Sequence, residues 1–429
     1  MRFLHVLLFL LAAMPAFSYL DPGTGSLLLY ALAGIATSVL YGLRNAWYWL
    51  RGRAAFRGRG APALSAGLPD IVFHSEGGKY WQVFQPAIEA LAREGAACAY
   101  VTPDPADPGL RTGIAGLDAR RPGGEMATIS YMNAARAALV VSTTPHLDVY
   151  MLRRSKGVKA YAHLFHAPTD IAFYEKYAFD WYDALLTVGP FQDASVRALE
   201  ARRGTVAKAL LPTGNTYFDY MLAEAARLPA GEPPAGEAGR RTALYAPTWG
   251  VRSSALRHGA GIIEALSGAG YRVIFRPHPQ LYVSHKELAA EIERRIAGLP
   301  GVEIDRNRTG MGSMARSDLM VTDLSGVLFD YACLFGKPIL LAMSDADPGG
   351  QEGEDLPRPF WDIEASKELS FGLVGDDLGG LPLLADAALA GSAANGERIR
   401  AFRDRSFYNF GAAGPAAARN ILELVRSLR

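Results

Sequence analysis

Short apolar runs alternate with amphipathic helical patterns along this chain, from Asp70 to the end of the run 339–342. Each run has strand length and is followed by a polar loop and a helical period. Parallel strands need crossover connections, and strands buried on both faces read as continuous apolar runs. The alternation therefore predicts an α/β fold with parallel sheets. The predicted strands are 71–73, 96–102, 138–142, 160–165, 184–188, 207–211, 242–245, 271–275, 302–304, 319–321 and 339–342.

A proline- and glycine-rich stretch at 228–241 divides this alternation into two halves. Its composition is typical of a linker or an exposed loop. Two α/β halves joined by such a linker predict two Rossmann-like domains with a cleft between them, at 61–227 and 242–382. Ligands bind such sheets at the carboxyl ends of the strands. The remaining segment, 383–429, is predicted to be helical and to pack back across both domains.

The composition favours a folded protein, since 50% of the residues are hydrophobic and 20% are charged. The net charge of +1 gives no reason to expect a nucleic acid as the partner. The two cysteines, Cys98 and Cys333, each lie in an apolar pattern. We interpret both as buried free thiols, with a disulfide between them as the alternative.

The first sixty residues differ from the rest. Apolar runs at 3–17 and 27–43 are followed by aromatic residues and by a group of arginines at 44–59. The first run is either a cleaved signal peptide or half of a helical hairpin, and the second is a candidate transmembrane helix. By the positive-inside rule, the arginines place the rest of the chain in the cytoplasm. We predict a membrane anchor over 1–60 in the inner (cytoplasmic) membrane; two buried core helices are the alternative.

Three polar clusters follow predicted strands of the second half, at 245–250, 276–279 and 322–326. In the second cluster, Arg276 offers a planar fork of donors suited to phosphate, and two prolines fix the direction of His278. The third cluster opens a helix, so it presents free backbone N–H groups and the positive end of the helix dipole. Together the clusters predict a site for a nucleotide diphosphate. The residues assigned to it are Arg276, Thr248, Thr322, Asp323, Ser325 and Gly326.

Each of these residues also has a structural interpretation. Arg276 could pair with a carboxylate of the core, and Ser325 could serve only as a helix N-cap. Thr248 could belong to a packed turn. The occurrence of three such clusters at corresponding strand ends favours a shared site.

In the first half, two histidines lie at the end of a predicted strand. His163 and His166 are three residues apart, so on a strand their rings point to opposite faces. No third ligand has metal-binding spacing beside them, and we predict no metal site. His166, at the strand end before Pro168, is expected to face the cleft, whereas His163 is expected to be packed in the core.

Taken in order, four motifs resemble those of the CDP-glycerol glycerophosphotransferase family, the polyol-phosphate transferases of the teichoic-acid type. The resemblance covers about 70–341 of the chain. At the first motif the family usually has His-Gly-Thr followed shortly by Lys, and this chain differs there. The motifs are His166-Ala-Pro-Thr, Tyr245-Ala-Pro-Thr-Trp, Arg276-Pro-His-Pro, and Thr322-Asp-Leu-Ser-Gly with Phe329-Asp-Tyr-Ala.

The resemblance implies a GT-B fold and the transfer of an alditol phosphate, glycerol phosphate above all, from a CDP-linked donor to an acceptor hydroxyl. It implies that His166 is the base, that His278 steadies the diphosphate, and that 322–325 bind nucleotide and phosphate. It further implies no tightly bound cofactor, and a membrane-associated glycolipid or polymer of the cell envelope as the acceptor. Two alternatives stay open: a nucleotide-sugar glycosyltransferase or epimerase, and a non-catalytic, membrane-anchored protein of envelope assembly.

Overall fold

Two parallel β-sheets form the framework of the protein in a computed structural model. It describes residues 67–227, 239–250, 253–307, 309–343 and 346–429. The strands of the first sheet are β1 (Ile71–His74), β2 (Cys98–Val101), β3 (Leu117–Arg120), β4 (Arg136–Ser142), β5 (Gly157–Leu164), β6 (Ala184–Thr187) and β7 (Ala209–Pro212). Those of the second are β8 (Thr242–Ala246), β9 (Arg272–Phe275), β10 (Val302–Ile304), β11 (Leu319–Thr322), β12 (Ile339–Leu341) and β13 (Gly372–Leu373).

Helices connect the strands on both faces of the sheets. In the first half they are α1 (Trp81–Arg93), α2 (Glu125–Met132), α3 (Pro190–Arg203) and α4 (Thr216–Ala225). In the second half they are α5 (Ser254–His258), α6 (Gly261–Gly268), α7 (Leu281–Ser284), α8 (Lys286–Ile296), α9 (Met311–Arg316), α10 (Gly326–Phe335) and α11 (Trp361–Leu369). The last three helices are α12 (Leu381–Ala390), α13 (Ser392–Ser406) and α14 (Ala413–Ser427).

The strand order of each sheet determines which strands end beside one another. The first sheet has the order β3-β2-β1-β4-β5-β6-β7 and the second β10-β9-β8-β11-β12-β13, with parallel neighbours throughout. The α/β fold with parallel sheets that the sequence predicts is confirmed. In both sheets the order in which successive strands are added reverses beside the first strand, between β1 and β4 and between β8 and β11. Ligands of open α/β sheets bind at such points.

Each sheet carries its own hydrophobic core. In the first, Phe73 of β1 packs with Phe84 and Ile88 of α1. In the second, Val273 of β9 packs with Ile263 of α6. Both cysteines are buried and free, as predicted. Burial of these side chains from water supplies the main stabilisation of each half.

The C-terminal helices connect the two cores. Helix α12 contributes to the second core and α14 to the first. Between them, the N–H of Tyr408 donates to the carbonyl of Val188 over 2.8 Å. The carbonyl oxygen of Tyr408 comes so close to Gly214 (φ +89°) that a Cβ there would lie 2.1 Å from it. Only glycine fits this crossing, because both the positive φ and the close approach exclude a side chain.

Aromatic rings fill the space between the two halves. Trp361 of α11 stacks on Phe191 of α3 with ring centroids 3.6 Å apart. Phe329 of α10 lies 5.3 Å from the same indole ring, and Phe407 closes the cluster at 6.1 Å. Stacked and edge-to-face rings of this kind stabilise a contact beyond their buried area. Both sheets therefore belong to one compact unit, which spans Ala61–Arg429.

Two predicted segments fall outside the part of the chain that the structure describes. These are the membrane anchor over 1–60 and most of the linker at 228–241. Within the described ranges, every helix is too short or too polar to cross a lipid bilayer.

Candidate active site

A cavity of about 240 Å³ lies between the segment that follows β5 and the segment that follows β11. His166 and Tyr174 line its first wall, and Ser325, Gly326 and Asp362 line its second. The structure thus brings together His166 and the pair Ser325–Gly326, which the sequence predicts to belong to one site. Typical ligand pockets measure about 300–1,000 Å³, so this cavity suits the reacting end of a larger substrate.

His166 presents a neutral imidazole ring to this cavity. The ring makes edge contacts with Tyr80 and Tyr174, at centroid distances of 5.4 and 6.3 Å. Its buried Nδ1 has no hydrogen-bond partner among the described residues. Burial, with a smaller contribution from the charge of Lys79, lowers the pKa of His166 to about 4. The ring is therefore unprotonated at neutral pH and able to accept a proton.

The environment of His163 differs from that of His166. It is fully buried, and the rings of Phe165, Phe179 and Tyr182 lie 4.8, 4.9 and 5.2 Å from it. Burial lowers the pKa of His163 well below its usual value. The environment is that of the packed histidine expected from the sequence.

Contacts with the second half hold the first wall of the cavity in place. The N–H groups of Glu352 and Gly353 donate to the carbonyls of Tyr174 and Ala172, each over 2.8 Å. The carboxylate of Glu352 is buried and forms an ion pair with Arg203. Breaking a buried pair of this kind leaves an uncompensated charge, so the segment containing Tyr174 is firmly attached.

Ser325 and Gly326 form the beginning of α10. Ser325 is the N-cap residue, and its own side chain makes no capping hydrogen bond. A Cβ placed on Gly326 would lie 3.9 Å from the Cγ2 atom of Thr169, so the two walls approach each other here. The N–H of Ser325 donates to the carbonyl of Asp323 over 2.7 Å. The N–H of Gly326, the first residue of the helix, and the positive end of the helix dipole make this end of the cavity favourable for an anion.

Thr322 and Asp323, in the same motif, have partners inside the protein. The buried hydroxyl of Thr322 donates to the carbonyl of Ala246 over 2.7 Å. Asp323 accepts the N–H of Thr248 at one carboxylate oxygen and both the N–H and the hydroxyl of Ser254 at the other. Burial raises the pKa of Asp323 to about 6. These groups fasten the loop after β8 to β11, and phosphate binding by Thr322 and Asp323 stays a prediction.

Arg276 shows the alternative considered from the sequence, a pairing with a carboxylate. Its Nη1 lies 2.8 Å from Oδ2 of the buried Asp305 and 3.0 Å from the carbonyl oxygen of Asn307, to which it donates. The side chain is only 18% exposed. Phosphate binding by Arg276 stays a prediction, and its established contact is structural.

His278 uses one ring nitrogen for a hydrogen bond within its own loop. Its Nδ1 accepts the N–H of Gln280 over 3.1 Å, so the neutral ring carries its proton on Nε2, which can donate. Burial and then the charge of Arg276 lower the pKa of His278. The exposed Trp249 lies 6.1 Å from the ring. Neither His278 nor Thr248 lines the cavity that contains His166.

Two further carboxylates of the cavity were not assigned from the sequence. Oδ1 of Asp362 accepts the N–H of Asp170 over 2.8 Å, although the two residues are 192 positions apart. Asp170 also accepts the hydroxyl of Ser195 over 2.7 Å. Burial raises the pKa of Asp170 to about 6. Asp170 was visible only as a departure from the family motif, and no motif marks Asp362.

Residues 205–352 match the sequence model of the CDP-glycerol:poly(glycerophosphate) glycerophosphotransferase family. The predicted family resemblance is confirmed. The matched segment contains the three motifs of the second half and ends at Glu352, which holds the first wall of the cavity. No curated protein matches the chain.

Solved structures show the same architecture. The wall teichoic acid polymerase TagF superposes with a TM-score of 0.56 at 16% identity, covering 90% of this chain and 99% of that chain. The UDP-GlcNAc 2-epimerase of Neisseria meningitidis, bound to UDP-GlcNAc, gives 0.52 at 10%, covering 84% and 100%. The enzyme of Methanocaldococcus jannaschii, in complex with UDP-GlcNAc and UDP, gives 0.53 at 14%, covering 83% and 99%. These likenesses show a GT-B-like fold.

Proposed function

We propose that this protein transfers a polyol phosphate, most favourably glycerol phosphate, from a CDP-activated donor to an acceptor hydroxyl in cell-envelope synthesis. The observation that carries the proposal is the shared cavity, in which an unprotonated His166 lies with the uncapped N-terminus of α10. The family match over 205–352 supports the same chemistry.

In the proposed reaction, His166 takes the proton of the acceptor hydroxyl. The acceptor oxygen then attacks the phosphorus that carries the polyol, and the bond from that phosphorus to the bridging oxygen breaks, releasing CMP. Phosphoryl transfer depends mainly on positioning and on neutralising the oxygens of the transferred group. The N–H group of Gly326 and the positive end of the α10 dipole are suited to this, and Nε2 of His278 can donate to the diphosphate.

The proposed partners follow from the same reaction. The donor is a substrate, the acceptor is a membrane-associated glycolipid or polymer, and no tightly bound cofactor takes part. We place the site at the cytoplasmic face of the inner membrane because apolar runs and arginines occupy residues 1–60.

A second candidate is a nucleotide-sugar glycosyltransferase or epimerase, which would keep the diphosphate contacts and change the donor. It is favoured by the likeness in fold to two UDP-GlcNAc 2-epimerases. A third candidate is a non-catalytic, anchored protein that retains a nucleotide pocket. It is favoured by the altered sequence of the first motif, Ala167-Pro-Thr-Asp170.

Nucleotide binding separates these candidates. The full-length chain is titrated with CDP, CDP-glycerol, UDP and GDP by calorimetry. We expect selective binding of CDP and CDP-glycerol, weakened about 10-fold by His278→Ala, because a hydrogen bond to a charged group is lost. Gln280→Ala is the matched control, since this side chain lies in the same loop and donates to the hydroxyl of Ser284.

The other results identify the other candidates. A preference for UDP or GDP would favour the glycosyltransferase or epimerase. Binding of a nucleotide without release of CMP from CDP-glycerol in the presence of acceptors would favour the non-catalytic protein that retains a nucleotide pocket. Absence of binding to any nucleotide by a chain that shows cooperative thermal unfolding would reject the proposed transferase.

A further inference from the structure

The cavity that contains His166 offers little positive charge of its own. The proposed reaction takes place at a phosphorus whose non-bridging oxygens are negative, and phosphoryl transfer depends on neutralising them. Among the described residues that line the cavity there is no lysine or arginine. The N–H of Gly326 and the dipole of α10 act from one wall, and His278 does not line the cavity. A positive charge beside His166 therefore has to come from a residue outside this lining.

Lys79 places a cation beside His166. It follows β1 in a short turn of 3-10 helix, Gly78–Tyr80. Its Nζ lies 4.7 Å from the ring centroid of Tyr80, and the centroid of that ring lies 5.4 Å from the centroid of the His166 ring. The charge of Lys79 contributes, after burial, to the lowered pKa of His166. One aromatic ring thus connects the ammonium group to the imidazole that lines the cavity.

The ammonium group of Lys79 is available to a ligand. The residue is exposed, and Lys79 forms no ion pair with a carboxylate in the part of the chain that the structure describes. Its contact with the ring of Tyr80 is weaker than a charge-assisted hydrogen bond to phosphate. A lysine has a flexible four-carbon stem, so Nζ can turn from the tyrosine ring to an anion. Arg276, by contrast, is paired with Asp305.

The backbone that carries this lysine is held in place. The N–H of Gly78 donates to Oδ2 of Asp104 over 3.0 Å. A Cβ on Gly78 would lie 3.0 Å from the Cα atom of Asp107, which is tighter than ordinary van der Waals contact. The turn therefore packs against the segment after β2 with no room for a side chain at this glycine. Lys79 starts from a fixed point beside His166, and only its side chain is free to move.

We propose that Lys79 binds the non-bridging oxygens of the phosphate that is transferred, as a catalytic residue beside His166. The proposal rests on the proposed function. In that step the acceptor hydroxyl gives its proton to His166, and its oxygen forms a bond to phosphorus. The bond from phosphorus to the bridging oxygen breaks, and CMP leaves with the electron pair. Lys79 gives up no proton; its fixed charge stabilises the oxygens that remain on the transferred group.

Turnover by variants at position 79 tests the proposal in the full-length chain. Lys79→Met keeps the apolar stem and removes the charge. We expect kcat for release of CMP from CDP-glycerol to fall about 10²-fold, with KM for CDP-glycerol changed less than about 3-fold, because the interaction is strongest in the transition state. Lys79→Arg keeps the charge and should retain at least about a tenth of the parental kcat.

A matched lysine controls for the loss of one positive charge. Lys156 is exposed and directly precedes β5, at the edge of the sheet opposite to the cavity. Lys156→Met should keep the parental kcat. Lys79→Met should also unfold at the parental temperature, since the side chain is exposed. A parental kcat in Lys79→Met, or an equal loss in Lys156→Met, would overturn the proposal.

The choice of acceptor shows which phosphate Lys79 binds. The acceptors are glycerol, a methyl 2-acetamido-hexoside and a short poly(glycerophosphate). A lysine that binds the transferred phosphate should give about the same loss of kcat with every acceptor that supports turnover. A loss confined to poly(glycerophosphate), and expressed in the KM of that acceptor, would overturn the proposal, because Lys79 would then bind the acceptor chain.

A probe that does not depend on turnover separates this proposal from the proposed function. Orthovanadate in its five-coordinate form resembles a phosphate in transfer, and its binding in the presence of CMP is followed by ⁵¹V NMR. Lys79→Met should bind it at least about 10-fold more weakly than the parent. This loss without CMP release by the parent would reject the proposed function and support the anion site at Lys79. Equal vanadate binding by parent and variant, or absence of binding in both, would overturn the site.

Discussion

The loop after β5 and the turn after β11 meet in one cavity, but their polar groups are used differently. In the turn, the side chains of Thr322 and Asp323 form hydrogen bonds with the end of β8 and the loop that follows it. Leu324, Ser325 and Gly326 of this turn line the cavity, and Thr322 and Asp323 are not among the described residues that line it. In the loop, His166 lines the cavity with a ring nitrogen that has no partner among the described residues.

This difference shows which residues of a motif are available to a ligand. Buried polar groups are normally satisfied, so an internal partner accounts for the position of a side chain, and an unpartnered nitrogen that also lines a cavity, as in His166, is available to a ligand. The second motif repeats the contrast. Arg276 is paired with Asp305, whereas His278 uses one nitrogen internally and keeps the other for donation.

The largest effect should come from the group without a partner. His166→Gln keeps a polar side chain of similar size but removes the base, so the rate of transfer should fall about 10²–10⁴-fold. In the parent protein, a base works only when unprotonated. Because the pKa of His166 is lowered to about 4, kcat/KM should stay constant from about pH 8 to below pH 6 and fall only at more acidic pH. Steady-state rates across this range provide the measurement.

His285→Gln serves as the control for the loss of a histidine outside the cavity. If the His166→Gln variant kept the parental rate, His166 would not be the base. An acid limb near pH 6.5 or above would show that the titrating group is an unperturbed histidine and not a buried one.

A smaller effect, on stability, is expected from the groups that have internal partners. Asp323→Ala leaves the N–H of Thr248 and both donors of Ser254 without their acceptor. The free energy of unfolding should decrease by about 2–4 kcal/mol, because buried donors lose their hydrogen bonds. Denaturant unfolding followed by circular dichroism measures this difference.

Thr322→Val removes only one hydroxyl bond from the same region and should decrease the free energy of unfolding by about 1 kcal/mol. If Asp323→Ala unfolded at the parental denaturant concentration but lost donor binding, Asp323 would be a binding residue, and the comparison between the two segments would be wrong.

The sequence predicted those parts of the fold that carry a local pattern. Buried parallel strands are continuous apolar runs, and they were recognised for this reason. The edge strand β3 was not predicted, because its residues Leu-Asp-Ala-Arg are only partly buried and two are charged. The edge strand β13 has two residues, which is too short for a periodic signal.

The site divides in the same way. His166 and Ser325 were predicted because ligands bind at the carboxyl ends of parallel strands, a rule that depends on position along the chain. Partners that are remote in sequence gave no signal. Asp305 pairs with Arg276 over 29 positions, and Asp362 accepts from Asp170 over 192. Such partners determine whether a polar residue stabilises the fold or is available to a ligand. The motifs could therefore be recognised from the sequence, but the structural and ligand-binding residues within them could not be told apart.

The smallest effect is expected where the two walls approach each other, at Gly326. A Cβ there would lie 3.9 Å from Thr169, which is ordinary van der Waals contact. Gly326→Ala should therefore leave stability within about 0.5 kcal/mol of the parent and reduce the transfer rate by no more than about 3-fold. Gly326→Leu places a branched side chain between the walls and should reduce the rate much more at similar stability. Thermal unfolding and transfer rates are measured for both. A complete loss of activity in Gly326→Ala would mean that substrate contacts the backbone at this glycine more closely than the walls contact each other.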